Sequence, residues 1–306
     1  MLRYNKFSEY LKRKYGRRVQ KISVDAGLTC PVRDGILSLS GCFYCNSYGS
    51  GNASNEAVDI QIATQMEYYE KKYREPYFIL YYQAYSNTYG ENEYLKKLYD
   101  KVFDNDRFVA ISIGTRPDCI DEEILKYLEK MNEKKDVWLE LGLESASIKT
   151  LQKIGRMHGI ASFVDGVNRI QKHNLNVCAH VIFGLPYDNS GDMLESAKLC
   201  SVLNVDAIKI HSFYLEKGTV FEKIYRSKGF SFLSAEKYVE IVVKALRYLK
   251  SDIVIQRLTG DPNRELLIGP EWTLNKHKII TSIESIMERN NYKQGDLSEF
   301  NYVKRN

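Results

Sequence analysis

Cys30, Cys42 and Cys45 stand together in a loop rich in Gly and Ser, spaced C-x11-C-x2-C. Three thiolates offered to a [4Fe–4S] cube leave one iron open to a small molecule, whereas a fourth would close it. Gly35, Gly41, Gly49 and Gly51 let the backbone bend closely around such a group, and Phe43 and Tyr44 would shield it from water. Zinc makes the competing claim, because a C-x2-C pair often marks a zinc knuckle. A structural zinc site wants four ligands, yet no second C-x2-C follows and the five histidines (158, 173, 180, 211 and 277) lie far downstream. From the loop alone, a cluster, a zinc site and thiols without metal all stay open. Of the other cysteines, Cys178 and Cys200 sit in apolar contexts that suit buried, inert thiols, and Cys119 reads as a spectator.

The elements that must position this loop follow from the hydrophobic pattern. Apolar runs predict strands at 21–26, 77–83, 107–114, 137–143, 177–185, 206–213 and 253–260. Between them, helical spacing predicts helices over 57–75, 91–104, 121–131, 147–154, 161–173, 190–203 and 234–250, with a last one over 273–289. Nearly continuous apolar strands separated by helices signal parallel βαβ units. The expected fold is α/β, a partial (β/α)6-type TIM barrel with a C-terminal α/β extension; a doubly wound open sheet is the alternative. In a barrel the loops after the strands build the site, and the cysteine loop directly follows the first strand. No linker divides the chain, so residues 1–306 read as one domain with a short basic N-terminal segment and a polar tail over about 290–306.

Composition narrows the class. The 306 residues are 44% hydrophobic and 27% charged, enough for a large core and unlike a disordered chain. Six cysteines at this length are no disulfide scaffold. No apolar run approaches the ~20 residues that span a bilayer. The basic N-terminus lacks the apolar core of a signal peptide, so the expectation is a cytoplasmic protein without membrane contact. A net charge of +5 is mild. Lys12, Arg13, Lys14, Arg17 and Arg18 form a basic cluster near the N-terminus that could hold RNA phosphates, although a solvated helix face is the more frequent explanation for such a run.

The residues around the cysteines carry a resemblance. DAGLTCPVRDG followed by GCFYCN (25–46) resembles the radical S-adenosylmethionine (SAM) superfamily, among its Elp3/HemN-related members and in particular the YhcC/YtqA-type subfamily. The likeness continues through QAYSNTY (83–89), GTRPDC (114–119), ELGLES (140–145), IGRMH (154–158), HVIFGLP (180–186), KIHSF (209–213) and RLTGD (257–261). All but IGRMH fall at or just after a predicted strand.

This resemblance implies a [4Fe–4S] cluster on Cys30, Cys42 and Cys45, with SAM on the open iron. It implies that Gln83 contacts the SAM amino group, Glu144 a ribose hydroxyl and Arg156 the SAM carboxylate, with Tyr44, Arg116 and His180 at the same pocket. On the substrate side, Lys209, His211, Lys217, Arg257, Asn275 and Lys276 would meet a carboxylate or phosphate. The subfamily includes MnmL-like tRNA modification enzymes. The implied reaction converts 5-carboxymethylaminomethyl-(2-thio)uridine at the tRNA wobble position to the 5-aminomethyl form. A flavodoxin- or ferredoxin-type electron donor and a downstream tRNA methyltransferase are the implied partners. A radical SAM enzyme acting on a small metabolite or porphyrin-like acid, and a non-catalytic iron–sulfur or zinc nucleic-acid-binding protein, are the alternatives. An Elp3-like acetyltransferase is not expected, since the chain ends after the barrel.

Overall fold

A strand buried on both faces must be apolar towards the helices outside and fill a barrel inside, and the computed structural model of the chain follows that pattern. It describes residues 2–46, 49 and 54–298; Gly51 and the tail beyond Ser298 lie outside them. The order is α1 (Phe7–Tyr15), β1 (Val19–Val24), α2 (Val58–Lys72), β2 (Tyr77–Tyr82), α3 (Asn92–Asp100), β3 (Phe108–Thr115), α4 (Glu122–Asn132) and β4 (Asp136–Glu144). Then come α5 (Ile148–Lys153), α6 (Ile160–Lys172), β5 (Asn176–Phe183), α7 (Ser190–Val202), β6 (Ala207–Ser212), β7 (Leu215–Glu216) and α8 (Val220–Lys228). The chain continues with α9 (Ala235–Tyr248), β8 (Val254–Arg257), β9 (Leu267–Gly269) and α10 (Lys276–Arg289). Asp121 caps α4 as expected, its carboxylate accepting from the N–H groups of Glu123 and Ile124.

Seven strands form one parallel sheet in the order β1-β2-β3-β4-β5-β6-β8. That sequential order, without a reversal, excludes the doubly wound alternative. The sheet is strongly curled: Lys21 Nζ on edge strand β1 donates to Gln256 Oε1 on the opposite edge, β8, at 2.9 Å. The result is a partial barrel of the expected kind, with β8 as a seventh strand beyond the six-unit core and β7–β9 as a separate antiparallel pair.

Alternate residues point outward into the main core, such as Leu139, Leu141 and Leu143 of β4 and Val177, Ala179 and Val181 of β5. The inward residues nearest the strand starts, Ile79, Ala110, Trp138, Cys178, Ala207 and Val254, pack with Leu11, Phe7, Tyr10 and Tyr15. Helix α1 therefore plugs the N-terminal mouth of the barrel. Its basic stretch lies at that end, away from the cysteines, and is partly neutralised there, Lys14 pairing with Asp136 and Arg17 reaching Glu75 at 3.6 Å, while Arg13 donates to the neutral amide of Asn5. The solvated helix face is the reading the structure favours for these residues.

Candidate functional site

The cysteine loop closes over the opposite mouth. Short turns fold it, with Arg33 and Asp34 N–H donating to Cys30 O, Gly41 N–H to Val32 O and Cys45 N–H to Cys42 O. Cys30 and Cys42 are buried with Val32, and Cys45, Tyr44 and Tyr85 pack against them. Phe43 is fixed from both sides: its N–H donates to Ile154 O at 2.9 Å, and its carbonyl accepts from Phe221 N–H at 3.0 Å. Gly155 (φ +67°) makes this possible, because a Cβ there would stand 2.9 Å from the Phe43 ring.

Three guanidinium groups surround the thiols. Arg156 Nη1 lies 3.7 Å from Cys42 Sγ, Arg33 Nη2 lies 3.5 Å from Cys45 Sγ, and Arg116 faces Cys30. Burial nevertheless pushes the Cys30 thiol up, above what the two nearby arginines offset. Arg116 is 2% exposed and held by Asp118 through Nε (2.9 Å) and Nη2 (2.8 Å). Its Nη1, Arg156 Nε and His158 Nε2 are buried without a hydrogen-bond partner among the described residues. Burial, then Arg156 and Arg116, brings the His158 pKa down to about 3, so this imidazole is neutral. Three thiols amid cations with unspent donors suit an anionic thiolate-bound cluster and a carboxylate ligand beside it.

Glu144 ends β4 in a left-handed conformation (φ +66°), where the β4–β5 register shifts between Gly142 and Glu144. The bend turns its carboxylate back to Arg156 at 3.4 Å and to the Tyr44 hydroxyl. A Cβ on Gly142 would stand 2.3 Å from Glu144 Oε1 and 2.4 Å from Arg156 Nη2, so only glycine lets the pair close over the strand. Burial raises the Glu144 pKa despite Arg156. Gln83 directly follows β2 and lines the same cavity. That cavity, about 1130 Å³, runs from the cysteines into the barrel, and exceeds the ~300–1,000 Å³ usual for one small ligand.

One layer deeper lies a network that sequence reasoning caught only in part. Glu140 of β4 is 1% exposed and takes hydrogen bonds from Ser112 Oγ (2.5 Å) and Lys21 Nζ (3.1 Å), and from Lys209 Nζ. Ser112 and Lys21 share Oε1, while Lys209 shares Oε2 with His180 Nε2 at 2.8 Å, and Lys209 also donates to Tyr81 OH at 3.1 Å. His180 is thus engaged with Glu140, within the cavity wall rather than at the cysteine rim. Burial works against the Glu140 charge, yet Lys209, Lys21 and His180 hold its pKa well below the usual carboxylate range. One carboxylate cannot neutralise two ammonium groups, so burial and Lys21 bring Lys209 down to about 7. Glu140, Cys178 and His180 approach one another like metal ligands, but the two lysines at the same carboxylate would repel a cation. Glu140 had one signal in the sequence: it and Lys209 are isolated, opposite charges in the middle of otherwise apolar strands.

Arg257, in register with Lys209, and His211, one step above it on β6, line the cavity, with the His211 ring 5.2 Å from that of His180. The structure does not bring the remaining substrate-side candidates to them. Asn275 is the N-cap of α10, its side chain accepting from Lys278 N–H, and so is spent on helix capping. Lys276 does not line the cavity itself and reaches it only through Asp261 (3.3 Å), a lining carboxylate that Arg257 also approaches at 3.9 Å, and Lys217 donates to Glu265 O on the β7–β9 side. Cys178 and Cys200 are fully buried, and burial raises the Cys119 thiol to about 11, consistent with inert thiols.

A family model described as the Radical SAM superfamily matches residues 39–200, which include Cys42 and Cys45. The chain belongs to the radical SAM superfamily. The Radical_SAM C-terminal domain matches residues 205–289. Among curated relatives, the uncharacterized protein YtqA of Bacillus subtilis is 36% identical over 96% of this chain and 92% of its own length. Protein YhcC of Escherichia coli is 30% identical over 89% of this chain and 88% of its own. The archaeal Elp3 of Methanocaldococcus infernus overlays with a TM-score of 0.69 at 17% identity, over 91% of this chain and 64% of that one. Methylornithine synthase (PylB) overlays at 0.54 and 14% identity, over 92% of this chain and 85% of that one. These two likenesses concern the fold alone, and the chain spans just under two thirds of that Elp3. As a radical SAM enzyme the protein uses a [4Fe–4S] cluster and SAM. Among the described residues, no helix is long and apolar enough to cross a membrane.

Proposed function

We propose that the protein converts 5-carboxymethylaminomethyl-(2-thio)uridine at the tRNA wobble position to 5-aminomethyl-(2-thio)uridine, removing the carboxymethyl unit. When bound, the cluster and SAM supply a 5′-deoxyadenosyl radical that takes hydrogen from a substrate carbon. Cys30, Cys42 and Cys45 would hold the cluster. Arg33 and Arg156 donate towards two of their sulfurs and offset the negative charge gathered there. Arg156 and Arg116 keep donors for the SAM carboxylate, and Glu144, turned inward by its backbone, accepts from a ribose hydroxyl. Gln83 receives the amino group. Phe43 and Tyr44, pinned over the loop, keep water out.

The observation that carries the substrate reading is the cation-rich cavity floor at Lys21, Lys209 and Arg257, suited to a substrate that enters carboxylate first. The methylene between nitrogen and carboxylate is a sensible place for hydrogen removal, because both neighbours stabilise the carbon radical; loss of one further electron to a one-electron carrier of the flavodoxin or ferredoxin class would give an imine, whose hydrolysis by water would free the amine and release the two carbons as glyoxylate. An electron donor of the flavodoxin or ferredoxin class and a methyltransferase acting on the aminomethyl product complete the scheme. Mass spectrometry of tRNA nucleosides from a strain lacking the gene should show the carboxymethylaminomethyl uridine accumulating. An unchanged nucleoside profile would contradict the assignment.

A further inference from the structure

The wall of the cavity is charged unevenly. Glu140 is the one fully buried carboxylate of the deep layer, and both Lys21 and Lys209 are already drawn to it. Arg257, at the end of β8, adds a third cation, and its nearest carboxylate is Asp261, 3.9 Å away, exposed and shared with Lys276. Next to it, His211 Nε2 is buried with no hydrogen-bond partner among the described residues. An orphaned imidazole nitrogen beside an under-paired guanidinium, both facing one cavity, is an unfinished binding site.

We propose that Arg257 and His211, beside and above the Lys209–Glu140 pair, form a subsite for a carboxylate at the tip of the substrate's flexible side group. It deepens the substrate reading above and presupposes a substrate that enters the barrel tip first. The planar guanidinium matches a planar carboxylate through two parallel N–H···O bonds, and the imidazole N–H supplies a third donor. The surplus ammonium charge beneath strengthens the attraction in a site shielded from water. A phosphate fits less well on positional grounds. In a nucleotide inserted base first, the backbone phosphates trail at the mouth, and only the base's own substituent reaches the depth of β6 and β8.

The test uses the reconstituted holoenzyme with SAM under anaerobic conditions, and N-ethylglycine as a probe of the carboxylate tip. Ligand-detected NMR should show saturable binding of N-ethylglycine, and none of ethylamine, which lacks the carboxylate. Arg257→Ala should weaken N-ethylglycine binding about 10-fold or more, as expected for a charge-assisted pair. His211→Leu should weaken it less, and Arg257→Lys should restore part of the loss; unchanged melting temperatures would show that the variants fold. The subsite is overturned if N-ethylglycine fails to bind, if it binds Arg257→Ala as well as wild type, or if inorganic phosphate binds as tightly at the same residues. The probe contains no RNA, so the outcome is separable from the tRNA assignment. An unchanged nucleoside profile in the deletion strain together with Arg257-dependent N-ethylglycine binding would remove the tRNA and leave the carboxylate site.

Discussion

At the rim of the barrel the polar groups sit on irregular backbone and several lack partners, whereas one layer down they sit on regular strands and are nearly all paired. Glu144 and Met157 adopt positive φ at the rim, and Arg116, Arg156 and His158 each keep a buried nitrogen unspent. In the floor, Glu140 engages four side chains drawn from β1, β3, β5 and β6. Strain and unspent donors are tolerated where something from outside the chain completes the site. A closed network instead makes a rigid base that needs no visitor to be stable. The rim is built to receive the cofactor, and the Glu140 network holds the shape of the floor beside which the substrate's carboxylate end is proposed to rest.

The comparison can be broken at either layer. The largest effect should come at the rim, where Cys30→Ala, Cys42→Ala or Cys45→Ala should reduce iron content and bring 5′-deoxyadenosine formation to background while melting stays near wild type. Next, Glu140→Gln should cost about 3–5 kcal/mol of folding stability in urea denaturation, because it leaves the buried Lys209 and the half-buried Lys21 without their shared carboxylate. The pH sign follows from the depressed carboxyl: its folded pKa lies well below 4.5, so its contribution is present above that pH and disappears as pH falls through the folded value. The gap between wild type and Glu140→Gln should therefore be widest near neutrality and close below pH 4.5. A gap that stays constant with pH would place the floor's stability elsewhere than in this charge.

Glu144→Gly sharpens the contrast with a smaller effect. It relieves a left-handed non-glycine residue, a strain of about 1–3 kcal/mol, which offsets part of what is lost when the buried Arg156 loses its carboxylate partner. Thermal stability should therefore fall less than for Glu140→Gln while SAM affinity falls; a loss as large as that of Glu140→Gln would show that the rim residue is structural. The smallest effect belongs to the plugged mouth. Reversing the charges of Lys12 and Arg17 on and beside α1 should change turnover by less than about twofold, as for other surface substitutions. A large rise in KM for tRNA would instead return the basic stretch to the RNA-binding surface.

The two layers also differ in how far the sequence discloses them. The cysteine loop is local: its ligands lie within sixteen positions and their spacing can be read directly. The seven strands are legible because each is an apolar run between helical stretches. Glu140's network is not local, since Lys21 and Gln256 meet across 235 positions only when the sheet curls. The role of helix α1 is equally non-local. Its basic residues dominate its composition, while Phe7, Tyr10, Leu11 and Tyr15, which plug the barrel, find their partners on six different strands. The β7–β9 pair and α8 are too short or too irregular to stand out from a loop, and Asn275 resembles a binding residue although its side chain caps α10.

On the proposed function, this cavity brings the methylene of a carboxymethylaminomethyl side chain to the radical. The direct test is anaerobic turnover of tRNA carrying that side chain with both hydrogens of the glycine-derived methylene replaced by deuterium. Deuterium should appear in 5′-deoxyadenosine, in step with formation of 5-aminomethyluridine. Unlabelled 5′-deoxyadenosine, with the tRNA unchanged, would contradict it.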